Sequence, residues 1–159
     1  MFKMFSKDKC IDILAPIEGE VHPLSTMEDE AFSSGALGKG VCILPFLGQV
    51  FSPVSGKVTL LFPTLHAIGI QSNDGVEVLI HIGMDTVNLN GKHFSAYVKQ
   101  GDKVKVGQKL IEFDYQALKD LNINLQTPVV ITNTDQFKEV NVVDIKQVQV
   151  GETVINIKK

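Results

Sequence analysis

Two segments of this chain occur twice, and that repetition limits its possible folds more than any other feature. Ala15-Pro16-Ile17-Glu18-Gly19-Glu20-Val21 returns as Ser52-Pro53-Val54-Ser55-Gly56-Lys57-Val58. Val104-Lys105-Val106-Gly107-Gln108-Lys109-Leu110-Ile111 returns as Val148-Gln149-Val150-Gly151-Glu152-Thr153-Val154-Ile155. Each copy sets Gly or Pro where a strand must turn tightly and β-branched residues where it must pack. One structural unit therefore occurs twice in a single core. Around these copies, short apolar runs are broken repeatedly by Gly, Pro, Asn and Asp, the spacing of an all-β sandwich or barrel. The pattern predicts strands at Ile11–Ala15, Gly19–Pro23, Gly40–Pro45, Gln49–Ser52, Gly56–Phe62, His66–Gln71 and Val76–His81. It predicts others at Phe94–Val98, Lys109–Phe113, Val129–Thr132, Val148–Val150 and Val154–Ile157. A helix over Tyr115–Leu121 follows Asp114 as N-cap, and residues 26–34 make a short helical turn. With 159 residues and no linker, the chain reads as a flexible tail, residues 1–9, and one domain, residues 10–159.

Composition narrows the class of partner. A net charge of −3 argues against nucleic acid, which needs a basic surface to displace counterions. An acidic surface instead steers partners that carry a basic patch. Cys10 and Cys42 read as buried thiols in a reducing compartment rather than as a disulfide. Neither a secretory signal nor a run of about 20 apolar residues is visible, so the expected setting is the cytoplasm, without stable membrane insertion.

The chemistry concentrates in the run from Leu60 to Val87. Two apolar strands flank an Asn-Asp-Gly turn, each with one histidine. A turn centred between Asn73 and Asp74 sets His66 directly opposite His81. A two-residue Asp74-Gly75 turn makes them diagonal neighbours. Either way they share a face at about 5 or 7–8 Å, and only an odd-length loop or a bulge separates them. Alternation places Val76, Val78, Ile80 and Ile82 toward the core and Glu77, Leu79 and His81 on the other face. Gly83 lacks a side chain, so a partner's backbone has room to approach there. A neutral imidazole is a nucleophile near pH 7; it accepts a phosphoryl group, binds a metal or acts as a base. Thr64 lies two residues before His66, where its hydroxyl fixes the tautomer.

Other residues carry less. His22, before Pro23, and His93, in Asn90-Gly91-Lys92-His93, read as surface histidines. Lys103, Lys105 and Lys109 read as a solvated basic turn. A zinc-dependent hydrolase on a related β scaffold would draw on His66, His81 and Asp85, but no His-x-His pair or third histidine stands at metal-ligand spacing. The Gly101–Gly107 pattern also occurs in lipoyl-type carrier modules, yet no modifiable lysine sits at a hairpin tip. A non-catalytic regulatory binding module is the remaining alternative.

The runs Thr64–Ile70 and Val76–Val87, with Val104–Gly107, Ile111–Asp114, Thr127–Asn133, Gly151–Thr153 and Ala15-Pro16, resemble the glucose-type enzyme IIA family of the bacterial sugar phosphotransferase system. The resemblance runs from about Ile11 to Lys159. It implies a β-sandwich built from a duplicated hybrid motif. It also implies that His81 takes a phosphoryl group from the small carrier protein HPr and passes it to a cysteine of a sugar-specific IIB domain. His66 stabilises that group and Thr64 orients His66. Asp29 and Asp85 match an acidic docking rim. Around them Phe32, Leu37, Phe62, Ile68, Leu79, Ile82, Met84 and Val87 are candidates for an apolar docking ring. No cofactor is required; His66 and His81 are candidates to capture an adventitious or regulatory zinc, and regulatory target proteins are further expected partners. Lys39 stands where an acidic residue is frequent in the family. No IIB or IIC segment is present, and Met1 favours a free-standing IIA protein.

Overall fold

The repeats become a two-fold arrangement of strands. The computed structural model describes residues 10–159, so the expected tail lies outside the described residues. Eight antiparallel strands form one sheet in the order β13 (Lys146–Val148), β2 (Gly19–Pro23), β3 (Lys39–Pro45), β11 (Thr127–Ile131), β7 (Glu77–His81), β6 (Ala67–Ser72), β5 (Gly56–Leu61) and β9 (Lys103–Val104). Two three-stranded sheets complete the sandwich. One is β1 (Cys10–Leu14), β14 (Thr153–Lys158) and β12 (Glu139–Val142); the other is β4 (Gln49–Phe51), β10 (Lys109–Phe113) and β8 (Phe94–Ala96). Exchanging β1 with β4, β2 with β5, β3 with β6, β11 with β7, β12 with β8, β13 with β9 and β14 with β10 maps every sheet onto itself or its twin. The seam of this pseudo-symmetry is the β7–β11 pair, where Ile80 faces Val129.

The repeated motifs are the joints of the two halves. Gly19 pairs with Val148, and its counterpart Gly56 pairs with Val104. A Cβ on Gly19 would lie 2.2 Å from the Leu44 carbonyl oxygen, and one on Gly56 would lie 2.0 Å from that of Gln71. Only glycine permits such a backbone approach. Gly56→Ala is therefore expected to cost about 2–3 kcal/mol, as overpacked sites do. Denaturant unfolding would show it as a lower midpoint at unchanged slope.

Between the sheets lies a continuous apolar core in which Ile13, Ile17, Ile43, Ile80 and Ile155 are fully buried. Cys42 is buried and desolvation raises its thiol to about 11, but Cys10 is exposed on β1, contrary to expectation. Both cysteines are free. The predicted helix is α2 (Tyr115–Asp120), capped by the Asp114 carboxylate accepting from Ala117 N–H. The expected turn splits into a 3-10 turn at Leu24–Thr26 and α1 (Glu30–Ser33), capped by Asp29. Strand β12 was not anticipated: only Val140 in it is buried, so alternation leaves almost no signal. Among the described residues no helix is long and apolar enough to cross a membrane.

Candidate functional site

The hairpin register differs from both expected ones. Ala67 faces His81, Ile68 faces Ile80 and Gln71 faces Glu77. The loop is odd: Asn73-Asp74-Gly75, with Gly75 at φ +89°, a three-residue turn whose last position favours glycine. In a regular ladder this would send the two histidines to opposite faces. His66 escapes because it precedes β6. Leu65 is left-handed at φ +62°, and the chain reverses in a tight loop closed by Leu65 N–H on the Phe62 carbonyl. The His66 carbonyl still accepts from Ile82 N–H at 2.7 Å. Its ring nevertheless stands against His81, with centroids 5.0 Å apart and planes at 80°.

Each imidazole is held at Nδ1. His81 Nδ1 donates to the Gly83 carbonyl oxygen at 2.8 Å, which leaves Nε2 with its lone pair. His66 Nδ1 lies 2.7 Å from the Thr64 hydroxyl oxygen, as the spacing foresaw, although Thr64 sits in the turn rather than on a strand. Phe62 packs edge-on to His66 at 5.2 Å, and Phe32 lies against His81 at 5.5 Å.

Burial lowers the pKa of both histidines. For His66 the neighbouring His81 adds to that effect. For His81 burial outweighs the Gly83 hydrogen bond and the charges of Asp29 and Asp85, which favour protonation. Both imidazoles thus favour the neutral form near pH 7, and in His81, with its proton at Nδ1, Nε2 keeps the nucleophilic lone pair.

The support of this geometry was not legible. Gly83, at φ +69°, aims its carbonyl at His81, and a Cβ there would meet Thr86 Cγ2 at 2.8 Å and the Asn124 carbonyl oxygen at 3.0 Å. The close approach is internal, not the room for a partner that sequence suggested. Thr86, fully buried, donates to the Ile82 carbonyl at 2.5 Å, and Met84 N–H donates to the Asn124 carbonyl at 2.8 Å. Thr86 carried no sequence signal, since a buried hydroxyl and a surface one look alike there.

The apolar ring divides. Ile68 and Ile82 are fully buried core residues and leave it, because each faces inward by alternation. Phe32 and, half-buried, Leu79 and Met84 form a second cluster with Leu24, Met27, Cys42 and Val130 on the outer face of the large sheet. Leu37 and Val87 are exposed. His22 binds Glu20 at 2.7 Å, and Lys109, read as part of a solvated basic turn, pairs with Glu112. Among the described residues no three His, Cys, Asp or Glu side chains are grouped to hold a metal. Asp85 therefore does not join His66 and His81 as a third ligand.

Two-fold correspondence sharpens the assignment. One residue beyond the seam pair, His81 corresponds to Val130, and Ala67, which it faces, corresponds to Gly40. His66 then corresponds to Lys39. The fold carries this site once, in the half spanning residues 49–113.

Comparison with known proteins agrees with this picture. Residues 11–137 match the family described as phosphoenolpyruvate-dependent sugar phosphotransferase system, EIIA 1. The chain is 44% identical over 156 residues to the glucose-specific EIIA component of Oceanobacillus iheyensis, covering 98% of this chain and 94% of that protein. It is 48% identical over 146 residues to the beta-glucoside-specific EIIBCA component of Halalkalibacterium halodurans, covering 92% of this chain but only 23% of that protein's length. The glucose permease IIA structure from Mycoplasma capricolum superposes with a TM-score of 0.88 at 37% identity, covering 96% of this chain and 99% of that one. With a duplicated β-sandwich, paired neutral histidines and these relatives in view, the chain belongs to the EIIA 1 family of the phosphoenolpyruvate-dependent sugar phosphotransferase system.

Proposed function

We propose that this protein relays a phosphoryl group on His81 Nε2, from phosphorylated HPr to the cysteine of a IIB domain, in the cytoplasm. The observation that carries this reading is the Nδ1 hydrogen bond to Gly83, which leaves Nε2 as the free nitrogen beside His66. In the first step the Nε2 lone pair attacks phosphorus in line with the bond to the donor imidazole. That N–P bond breaks and its electron pair stays on the donor. In the second step the IIB thiolate attacks the same phosphorus, an S–P bond forms, and His81 recovers its lone pair. Positioning and charge stabilisation are what such a transfer demands. If the Thr64 hydroxyl donates to His66 Nδ1, the proton of that ring sits on Nε2 and points to a phosphoryl oxygen.

Asp29 and Asp85 supply the acidic rim, and Phe32, Leu79 and Met84 an apolar floor from which a docked partner excludes water. EIIBCA relatives carry IIA and IIB names in one polypeptide, which supports IIB as the acceptor. Incubation with the general phosphotransfer enzymes and labelled phosphoenolpyruvate is expected to place an acid-labile, base-stable phosphate on His81, read by peptide mapping. Label on any other residue would overturn the reading.

A further inference from the structure

Lys57 and Lys103 face each other directly across the β5–β9 pair. Like charges in that position destabilise a sheet. Neither lysine, nor Lys105 beside them, makes an ion pair with a described residue. Asp102, next along the chain, uses its carboxylate on Lys99 N–H. The fold does not need this arrangement. The two-fold counterparts of Lys57 and Lys103 are Glu20 and Gln147, which face each other across β2–β13, with Glu20 bonded to His22. Lysine on an edge strand hinders unwanted strand pairing, which accounts for Lys103 on β9 but not for Lys57 on interior β5.

Register places the lysines on the reactive face. Lys57 faces Gln71, Gln71 faces Glu77, and alternation carries that side of the sheet through Gly69 and Leu79 to Ala67 and His81. Between the two ends lies a groove of about 340 Å³ lined by Leu60, Gly69, Gln71, Glu77, Leu79 and Thr132, and Leu60 is 42% exposed within it. The separation is four residues along β6, about 13 Å, and two strand spacings of about 5 Å each. That distance fits within a standard footprint of about 800 Å² per partner. One face therefore carries acid at Asp29 and Asp85, a middle that mixes Leu60 and Leu79 with Gln71 and Glu77, and base at Lys57 and Lys103.

Resting on the relay reading above, we infer that Lys57 and Lys103 form the distal recognition element of the His81 docking face, and that they select a phosphoryl-exchange partner bearing an acidic cluster there. An anionic membrane is the poorer fit, because it presents one sign of charge to the whole face, whereas a folded partner sets acid against Lys57 and Lys103 and base against Asp29 and Asp85. Charges at the rim of an interface act mainly on encounter rates.

The test is the Lys57→Glu/Lys103→Glu double variant, assayed for transfer from phospho-HPr and to IIB. At low salt the KM for at least one partner is expected to rise about tenfold, with kcat unchanged and the difference shrinking as salt is added. The Lys57→Gln/Lys103→Gln variant should show a smaller rise in the same direction. Unchanged KM for both partners, or a fall confined to kcat, would overturn the inference. Binding of the parent protein to phosphatidylserine vesicles that the double variant loses, with KM unchanged, would overturn it in favour of a membrane. Failure of the parent protein to label at His81 would instead overturn the relay reading.

Discussion

His81→Ala is expected to take up no phosphoryl group and to stop sugar-linked transfer altogether. The loss should be complete rather than partial because the proposed relay runs through a covalent N–P bond at Nε2, and no other nucleophile in the site occupies that position. His66 stands closest, but the residue is 2% exposed, with its ring packed edge-on to Phe62. The variant should retain its circular dichroism and unfolding midpoint within about 1 kcal/mol, since the His81 ring is only half-buried and anchored by one hydrogen bond. In the parent protein, burial lowers the His81 pKa below 6.5, so the neutral nucleophile dominates throughout the neutral range. Acceptance rates should be flat from pH 7 upward and fall only below the free-histidine pKa, as Nε2 becomes protonated. A residual label in His81→Ala, or a rate that rises on acidification, would contradict the assignment.

His66→Gln is expected to separate the two legs of the relay. Acceptance exchanges one phosphoimidazole for another and requires only a receptive Nε2, so His81 should still be labelled. The onward leg brings a thiolate toward a phosphoryl group that already carries about two negative charges. A preorganised donor then has the most to stabilise, and losing such a donor typically costs about 10²–10³ in rate. Glutamine keeps an N–H but not the ring, its bond to Thr64 or the capacity to take a proton. Transfer to IIB should therefore slow about 10²–10³-fold while labelling persists. Thr64→Val should shift the same leg in the same direction by a smaller factor. Equal slowing of both legs would remove the distinction between the two histidines.

The residues that were legible share a physical reason, and so do those that were not. The repeats announced the two-fold core because Gly19 and Gly56 are demanded by backbone contact, a constraint that composition and spacing both show. Asp114 and the helix after it followed from capping chemistry. Strand parity separated His81 from the core correctly. Parity failed for His66, where pairing the histidines through an even turn reached the right neighbours by the wrong register. A left-handed Leu65 and a three-residue loop did what regular alternation forbids, and nothing in Thr64-Leu65-His66 marks that φ. Ile68 was misplaced in the docking ring because isoleucine looks the same on either face of a sheet, and Ile82 was placed there although alternation already set it toward the core. Contacts that reach across the chain, such as Asn124 holding Met84, have no local signature at all.

The two halves are not equal in chain order. Strands β4 to β10 are one uninterrupted stretch, whereas their twins are split between residues 10–45 and 127–158. During synthesis the half that bears both histidines is complete first and has its own hairpins to close. The other half must hold its early strands until β11 to β14 emerge, with Cys10 finally pairing against Lys158. Strand β7 lacks its β11 neighbour until Thr127–Ile131 emerges, so the platform beneath His81 is finished only after its own half is complete. A nascent protein thus owns its nucleophile long before it owns a surface on which a phosphoryl donor is able to land.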